Sequence, residues 1–400
     1  MKSQNFKIFI AFILIINFLM LLGCDSKYPE QNVKEVDTAK QTDTILTKQK
    51  SSINIVEQQQ KSSVHQKKEV QKSSADLKEQ ALESFVHITE QDNKLIGSAF
   101  LLNTFCEITL YDENNENNND LIYDTFELCR NYENQLSCKI TDSEISQLNA
   151  RQINEVSDST VNLLYEALKY SKLSDGALDI TIGSVTDLWD FTSDSKTVPS
   201  PGNMQKALKT VNYQKVQIND NQVSFSNPRT KIDLGAIAKG YIADQMKAYL
   251  IEQGVKSAII NLGGNVLCIG TKADNAGFTI AIQKPFEEGY VVAVHLDNFY
   301  QSVVTSGIYE RFFEKDGNFY HHILNPETGM PVNNNLASVT IISEESTSGD
   351  ALSTACFVLG LDKGMELIDS LDNVHAIFLD LDGNLYYSEN LLEELQIDIL

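Results

Sequence analysis

The sequence predicts a mixed α+β domain of sheet and helices, carried behind a signal peptide and a polar tether. Three observations lead there. Composition turns globular near Ser84, so residues 84–400 hold enough chain for a substantial core, in one domain or two lobes. Within that span, short β-type runs are interspersed with helical ones. No dinucleotide fingerprint of the GxGxxG type is present, so a doubly wound nucleotide fold is not indicated.

Residues 1–23 read as a secretory signal. Lys2 and Lys7 precede an apolar run, Ile8 to Leu22, broken only by Asn17. That run is short for a membrane span, which takes roughly 20 residues. It ends in Leu21-Leu22-Gly23-Cys24, which resembles a bacterial lipobox. Acylation of Cys24 would anchor the protein in a lipid membrane, each buried CH₂ contributing about 0.8 kcal/mol. The expected location is the cell membrane, with the folded domain on its extracytoplasmic side. Residues 24–83 are rich in Gln, Lys, Ser and Glu, and Gln-Lys-Ser-Ser recurs at Gln49, Gln60 and Gln71. Apolar positions there are too sparse for a core, so the segment reads as a tether, either a disordered spacer or a helical stalk.

The elements follow in order. Phe100 to Tyr111 reads as a strand, and Asp112 to Asp120 as an acidic, Asn-rich turn without calcium-loop spacing. Leu121 to Asn134 and Val161 to Lys172 have helical periodicity, and Ser143 opens a short element between them. Val223 to Phe225 is extended. Ala238 to Glu252 is a helix that Gly254 ends, and Asp350 to Leu359 one that Gly360 ends. Strands are expected at Ala258 to Leu262, Phe278 to Ile282, Val291 to Leu296, Ala337 to Ile342 and Ala376 to Leu379.

The formal net charge of −23 argues against nucleic acid as a partner. Besides Cys24 there are Cys106, Cys129, Cys138, Cys268 and Cys356, in no disulfide-scaffold pattern and without CxxC. Cys129 and Cys138 could pair in an oxidising compartment, leaving at least one thiol free.

Several residues carry chemistry. Asp350 and Thr354 are four apart on one helix face. A carboxylate with a neutral hydroxyl suits Mg²⁺ or Ca²⁺ better than Zn²⁺; the alternative is a capping Asp and a core-facing Thr. Lys231 to Tyr241 reads as strand, small-residue turn and helix start, where free N–H groups favour phosphate. Lys239 adds a cation there or is a surface residue. Asp233 orients the turn or binds a ribose hydroxyl. Asn261 to Asn265 forms a second glycine turn. Thr305, Ser306 and Gly307 offer hydroxyls and backbone donors together. His322, in a loop shaped by Pro326 and Gly329, is either a general base with a pKa near working pH or a structural histidine. His321 would face the other way, exposed or structural. Small residues flank Asp179 and Thr181, with Trp189 and Phe191 following, either core or bordering a planar ring.

Together these segments resemble the ApbE family of flavin transferases, lipoproteins in many bacteria. The resemblance runs from about Gly97 to about Ser388 through TDSEISQLN, SDGALDITIGSVTDLW, KIDLGAIAKGYIAD, INLGGN, VVTSGIYERFF, YHHILNPETGMPV and SGDALSTA, in that order. It implies Mg²⁺-dependent transfer of FMN from FAD to a threonine or serine hydroxyl of an acceptor redox protein or membrane flavoprotein subunit. The link would be a phosphoester, with AMP released. FAD hydrolysis to FMN and AMP at the same site is the alternative. It further implies metal ligation by Asp350, Thr354 and the Ala236 carbonyl, deprotonation of the acceptor by His322, and cofactor contacts from Thr104, Asp179, Asp233, Lys239, Thr305, Ser306 and Gly307. One departure stands out. The family's early Met-Gly-Thr is Leu102-Asn103-Thr104 here, and Asn103 in place of glycine should tighten or shift that turn.

Overall fold

A computed structural model describes residues 85–92, 94–111, 118–193, 195–272, 275–297, 299 and 301–400. The signal peptide, Cys24, the tether and Asp112 to Asn117 of the acidic turn lie outside the described residues.

The chain begins β1 (His87–Gln91), β2 (Lys94–Leu101), β3 (Thr104–Leu110), α1 (Asn118–Leu136), α2 (Glu144–Asn149), α3 (Asp158–Leu173), α4 (Gly183–Thr186) and α5 (Pro201–Leu208). It continues through β4 (Val216–Asn219), β5 (Gln222–Phe225), α6 (Ala238–Glu252), β6 (Ala258–Leu262), β7 (Asn265–Ile269), β8 (Thr279–Gln283) and β9 (Tyr290–His295). There follow β10 (Ser302–Gly307), β11 (Phe312–Lys315), β12 (Asn318–His321), β13 (Leu336–Ser343), α7 (Ser346–Leu359) and α8 (Leu361–Asp369). The last elements are β14 (His375–Asp380), β15 (Leu385–Tyr387), α9 (Leu391–Glu394) and β16 (Gln396–Ile399).

A nine-stranded sheet in the order β1-β2-β3-β6-β7-β10-β13-β14-β15 forms the backbone of the domain. All its pairings are antiparallel. Helices α1, α6 and α7 cover one face, and the three-stranded sheet β16-β9-β8 packs on the other. Alternate residues of β7 therefore enter two cores: Leu267 and Ile269 face the helices, Val266 and Cys268 the small sheet. Burial on both faces explains why β13 is buried along its whole length and why these strands lack the usual apolar-polar alternation. The described residues fall within one compact unit.

The segment read as one strand from Phe100 is interrupted. β2 and β3 meet at Leu101 and Thr104, and Leu102 and Asn103 turn between them with φ of 53° and 57°. A two-residue turn with both φ positive matches the right-handed twist of a hairpin, and Asn accepts that conformation more readily than most residues. All five described cysteines are free, and Cys129 is a buried core residue rather than half of a Cys129–Cys138 bridge. Among the described residues, no helix is long and apolar enough to cross a membrane.

Candidate functional site

The site begins at the junction of α6 with α7. Asn149 clamps Ile232 from both sides, accepting from its N–H at 2.7 Å and donating to its carbonyl at 2.8 Å. Asp233 then shapes the turn: Oδ1 accepts from Gly235 N–H at 2.9 Å and Oδ2 from Thr186 Oγ1 at 2.6 Å. Of the two roles open to Asp233, the geometry supports orientation of the turn. The open phosphate cradle expected at this helix start is narrower than the sequence implied. The amides of Gly235, Ile237, Ala238, Gly240 and Tyr241 are all donated within the protein.

Gly240 is where α6 meets α7. A Cβ there would lie 2.2 Å from the Ser346 carbonyl oxygen. The start of α7 has no side-chain cap of its own. Asp244 of α6 supplies one, accepting from Ser346 N–H at 2.9 Å and Thr347 N–H at 2.8 Å. Burial raises the Asp244 pKa, and its bonds to Thr347 and Ser346 oppose that rise. Close approach and shared cap fix the register that brings Asp350 against the first turn of α6.

There Asp350 Oδ2 accepts from Gly240 N–H at 3.0 Å, and Oδ1 accepts from Lys239 Nζ at 2.8 Å. Gly240 N–H would otherwise close a helical turn onto the Ala236 carbonyl. Because it points to Asp350, and α6 begins only at Ala238, that carbonyl stands outside the helical ladder. Thr354, one turn beyond Asp350, has its Oγ1 3.3 Å from Ser306 Oγ, which also bonds Ser353 Oγ at 2.8 Å. The structure thus links Lys239 and Gly240 to Asp350, and Ser306 to Thr354 one helical turn further along α7. The Asp350 carboxylate, the Thr354 hydroxyl one turn along α7 and the Ala236 carbonyl just before α6 are oxygen donors of the kind Mg²⁺ or Ca²⁺ takes. Among the described residues no group of three or more His, Cys, Asp or Glu side chains could hold a metal ion.

Thr305 and Ser306 point to opposite faces of β10, as neighbours on a strand must. Thr305 Oγ1 lies 2.8 Å from Thr340 Oγ1, directly across the ladder, so only Ser306 turns toward α7. Gly307 leaves room for Tyr309, whose ring would lie 2.6 Å from a Cβ at that position.

His322 follows β12. Its amide donates to the Arg311 carbonyl at 3.1 Å, and its Nδ1 lies 3.2 Å from the same oxygen. A carbonyl only accepts, so Nδ1 carries the proton and Nε2 keeps its lone pair. Desolvation pushes the His322 pKa well below its ordinary value; the Arg311 and His321 charges push the same way, the Arg311 carbonyl opposes, and Lys239 adds to the lowering. The pKa near working pH expected for this histidine is therefore not what its surroundings give. His321 is buried and structural rather than exposed: Nε2 donates to the Val332 carbonyl at 2.8 Å, and Nδ1 accepts from Ile323 N–H at 3.3 Å.

The loop after His322 is held from below. Trp189 Nε1 donates to the Gly329 carbonyl at 2.9 Å, and its ring packs with Phe191, Phe313 and Tyr320. Trp189 is thus a core residue. Asp179 is spent on its own loop, accepting from Thr181 at both N–H and Oγ1 and from Tyr213 N–H at 3.0 Å. Thr104 packs against the Gly263 turn, where φ is +65° and a Cβ would meet Thr104 Oγ1 at 2.0 Å. Neither Asp179 nor Thr104 joins the Asp350 cluster through a hydrogen bond.

Sequence reasoning missed Arg311, Gly240 and Asp244, which act through backbone or capping bonds that no residue spacing reveals. It also missed an aromatic cluster, in which Phe286 meets Tyr309, Phe312 and Phe319 at ring distances of 6.0, 5.9 and 5.8 Å. The run of aromatics from Phe312 to Tyr320 was its one visible trace.

The profile of the ApbE family matches residues 102–378. An FAD:protein FMN transferase of Klebsiella pneumoniae is 36% identical over 294 residues, covering 72% of this chain and 90% of the relative. One of Treponema pallidum is 33% identical over 320 residues, covering 75% and 88%. Among solved structures, the ApbE protein of Thermotoga maritima superposes with a TM-score of 0.69 at 30% identity, covering 77% of this chain and 98% of that one. The flavin transferase ApbE of Vibrio cholerae gives 0.67 at 26% identity, covering 75% and 98%. This chain belongs to the ApbE family.

Proposed function

We propose that this transferase is a Mg²⁺-dependent FAD:protein FMN transferase that joins FMN to a threonine or serine hydroxyl of an acceptor protein and releases AMP. The observation that carries the chemistry is the His322 tautomer: Nδ1–H is committed to the Arg311 carbonyl, so Nε2 is the atom free to accept a proton. A hydroxyl is a poor nucleophile until a base takes its proton. In the proposed reaction the acceptor oxygen bonds to the FMN phosphorus and its proton passes to His322 Nε2. The bond from that phosphorus to the bridging oxygen breaks, and AMP leaves with the electron pair.

Asp350, Thr354 and the Ala236 carbonyl would hold the metal, and Lys239 and Ser306 border that position. When bound, Mg²⁺ would withdraw charge from the diphosphate and stabilise AMP as it leaves. Thr104, Asp179, Asp233, Thr305 and Gly307 would support the cofactor side of the site, Asp179 and Asp233 by holding loops in place. The reading extends to location: a lipid anchor at Cys24 and a tether over residues 24–83 would present the domain of residues 84–400 to an extracytoplasmic acceptor.

Intact-mass measurement of a candidate acceptor incubated with the full chain, FAD and Mg²⁺ tests the proposal. A gain of one FMN less water, with AMP released, is expected. AMP and free FMN from an otherwise competent acceptor mixture would replace transfer by FAD hydrolysis, with water deprotonated at the same Nε2.

A further inference from the structure

Asp350 has both carboxylate oxygens engaged. Gly240 N–H holds Oδ2 at 3.0 Å, and the Lys239 ammonium holds Oδ1 at 2.8 Å. The two side chains of this ion pair are 21% and 3% exposed, Lys239 and Asp350 respectively. A carboxylate so deeply placed is costly to leave without a counter-charge, and Lys239 supplies it. Yet Oδ1 is the oxygen that a divalent cation on Asp350 would need, because Oδ2 is tied to the backbone of α6.

We infer that Lys239 is a stand-in cation that competes with a metal ion for Asp350, and that it leaves Asp350 for a phosphate oxygen when metal enters. The inference rests on the metal reading of Asp350 given above. Two positive groups sharing one buried carboxylate repel each other, so Lys239 must find another anion as the metal arrives. Its ammonium is a compact charge on a flexible four-carbon stem, able to turn without moving the helix. It stands on the first turn of α6, beside the small residues Gly235 and Ala236. A diphosphate is the anion class that satisfies both cations at once. Metal and diphosphate therefore bind synergistically, and the coupling is reciprocal: each tightens the other by the same factor. Without diphosphate, the ion pair competes with metal and keeps the site closed to stray cations.

The test is calorimetric titration of the full chain with Mn²⁺, alone and with ADP, corrected for Mn²⁺–ADP association in solution. Wild type, Lys239→Gln, Lys239→Met and Asp350→Asn are compared. Lys239→Met keeps the packing of the stem, so a result shared by both Lys239 variants reports the lost charge. Both are expected to bind Mn²⁺ alone at least tenfold more tightly than wild type. ADP should tighten Mn²⁺ binding at least tenfold in wild type and less than threefold in the variants. Melting temperature gives a second reading: the Lys239 variants should melt below wild type in metal-free buffer and gain more from Mn²⁺. If both variants bind Mn²⁺ no more tightly than wild type while Asp350→Asn abolishes binding, Asp350 is a metal ligand but Lys239 is not its stand-in. If wild type and the Lys239 variants all fail to bind Mn²⁺, with or without ADP, the metal reading of Asp350 falls as well.

Discussion

Gly240 approaches Ser346 so closely that a methyl group on Gly240 would sit 2.2 Å from the Ser346 carbonyl oxygen. This contact locks α6 to α7 one turn ahead of Asp350, and it lets the Gly240 amide reach the Asp350 carboxylate. The glycine is required here for space, since its φ is not in the left-handed region.

Gly240→Ala should therefore push the helices apart. Overpacking at a closed backbone contact costs about 1–3 kcal/mol, and Asp350 should lose its bond to α6. Denaturant unfolding measures the first effect and Mn²⁺ titration the second. A variant of wild-type stability and metal affinity would show that α7 can slide without consequence.

Asp244 is the tertiary cap of α7, bonding the amides of Ser346 and Thr347 and the Thr347 hydroxyl at 2.5 Å. Removing a side-chain cap typically costs about 1–2 kcal/mol. Asp244→Ala should show that loss in denaturant unfolding, and amide exchange should quicken first at the start of α7. Uniform exchange across the domain would mean that the cap does not set the local register.

For His322→Gln, flavin binding should persist while transfer falls by about 10²-fold or more, the usual scale of general-base catalysis. Flavin fluorescence and acceptor labelling separate the two. Retained transfer would assign the proton to another group.

The pH dependence follows from the lowered pKa of His322. The neutral form is the base, and it persists as pH falls through the ordinary imidazole value of 6.5. The acid limb of transfer should therefore lie below that value. Arg311→Gln removes one positive charge that holds the pKa down, so this limb should move to higher pH. Stability carries the opposite face of the same linkage. Between its folded and unfolded pKa values His322 binds more protons in the unfolded chain, so its contribution to stability falls as pH drops below about 6.5. His321, also lowered, adds to that loss. Burial raises Glu107 to about 7, which gives the opposite slope in the same window, so the difference in unfolding free energy between wild type and His322→Gln from pH 8 to pH 5 checks the sign, and a difference that does not change with pH would contradict it.

The turn at Leu102 and Asn103 tests the departure from the family motif. With φ at 57°, Asn103 occupies a conformation that glycine also favours. Asn103→Gly should change stability by only a few tenths of a kcal/mol, whereas Asn103→Val should cost about 1–2 kcal/mol. A large effect of the glycine variant on flavin affinity would give the Asn103 side chain a direct part in the site.

The chain determined much by itself. Helical periodicity and glycine stops marked α6 and α7, and apolar runs marked β6, β9, β13 and β14, because these signals are local. The spacing of Asp350 and Thr354 on one helix face was legible for the same reason. Tertiary structure decided the rest. Phe100 to Tyr111 looked continuous until cross-strand pairing placed a turn at Leu102 and Asn103. The protonated nitrogen of His322 is set by a carbonyl 11 residues away, and the counter-charge of Asp350 by a lysine 111 residues away. Such relationships arise only when a sheet and two helices pack. The free energy that fixes them comes from burying groups whose neighbours the linear order does not name.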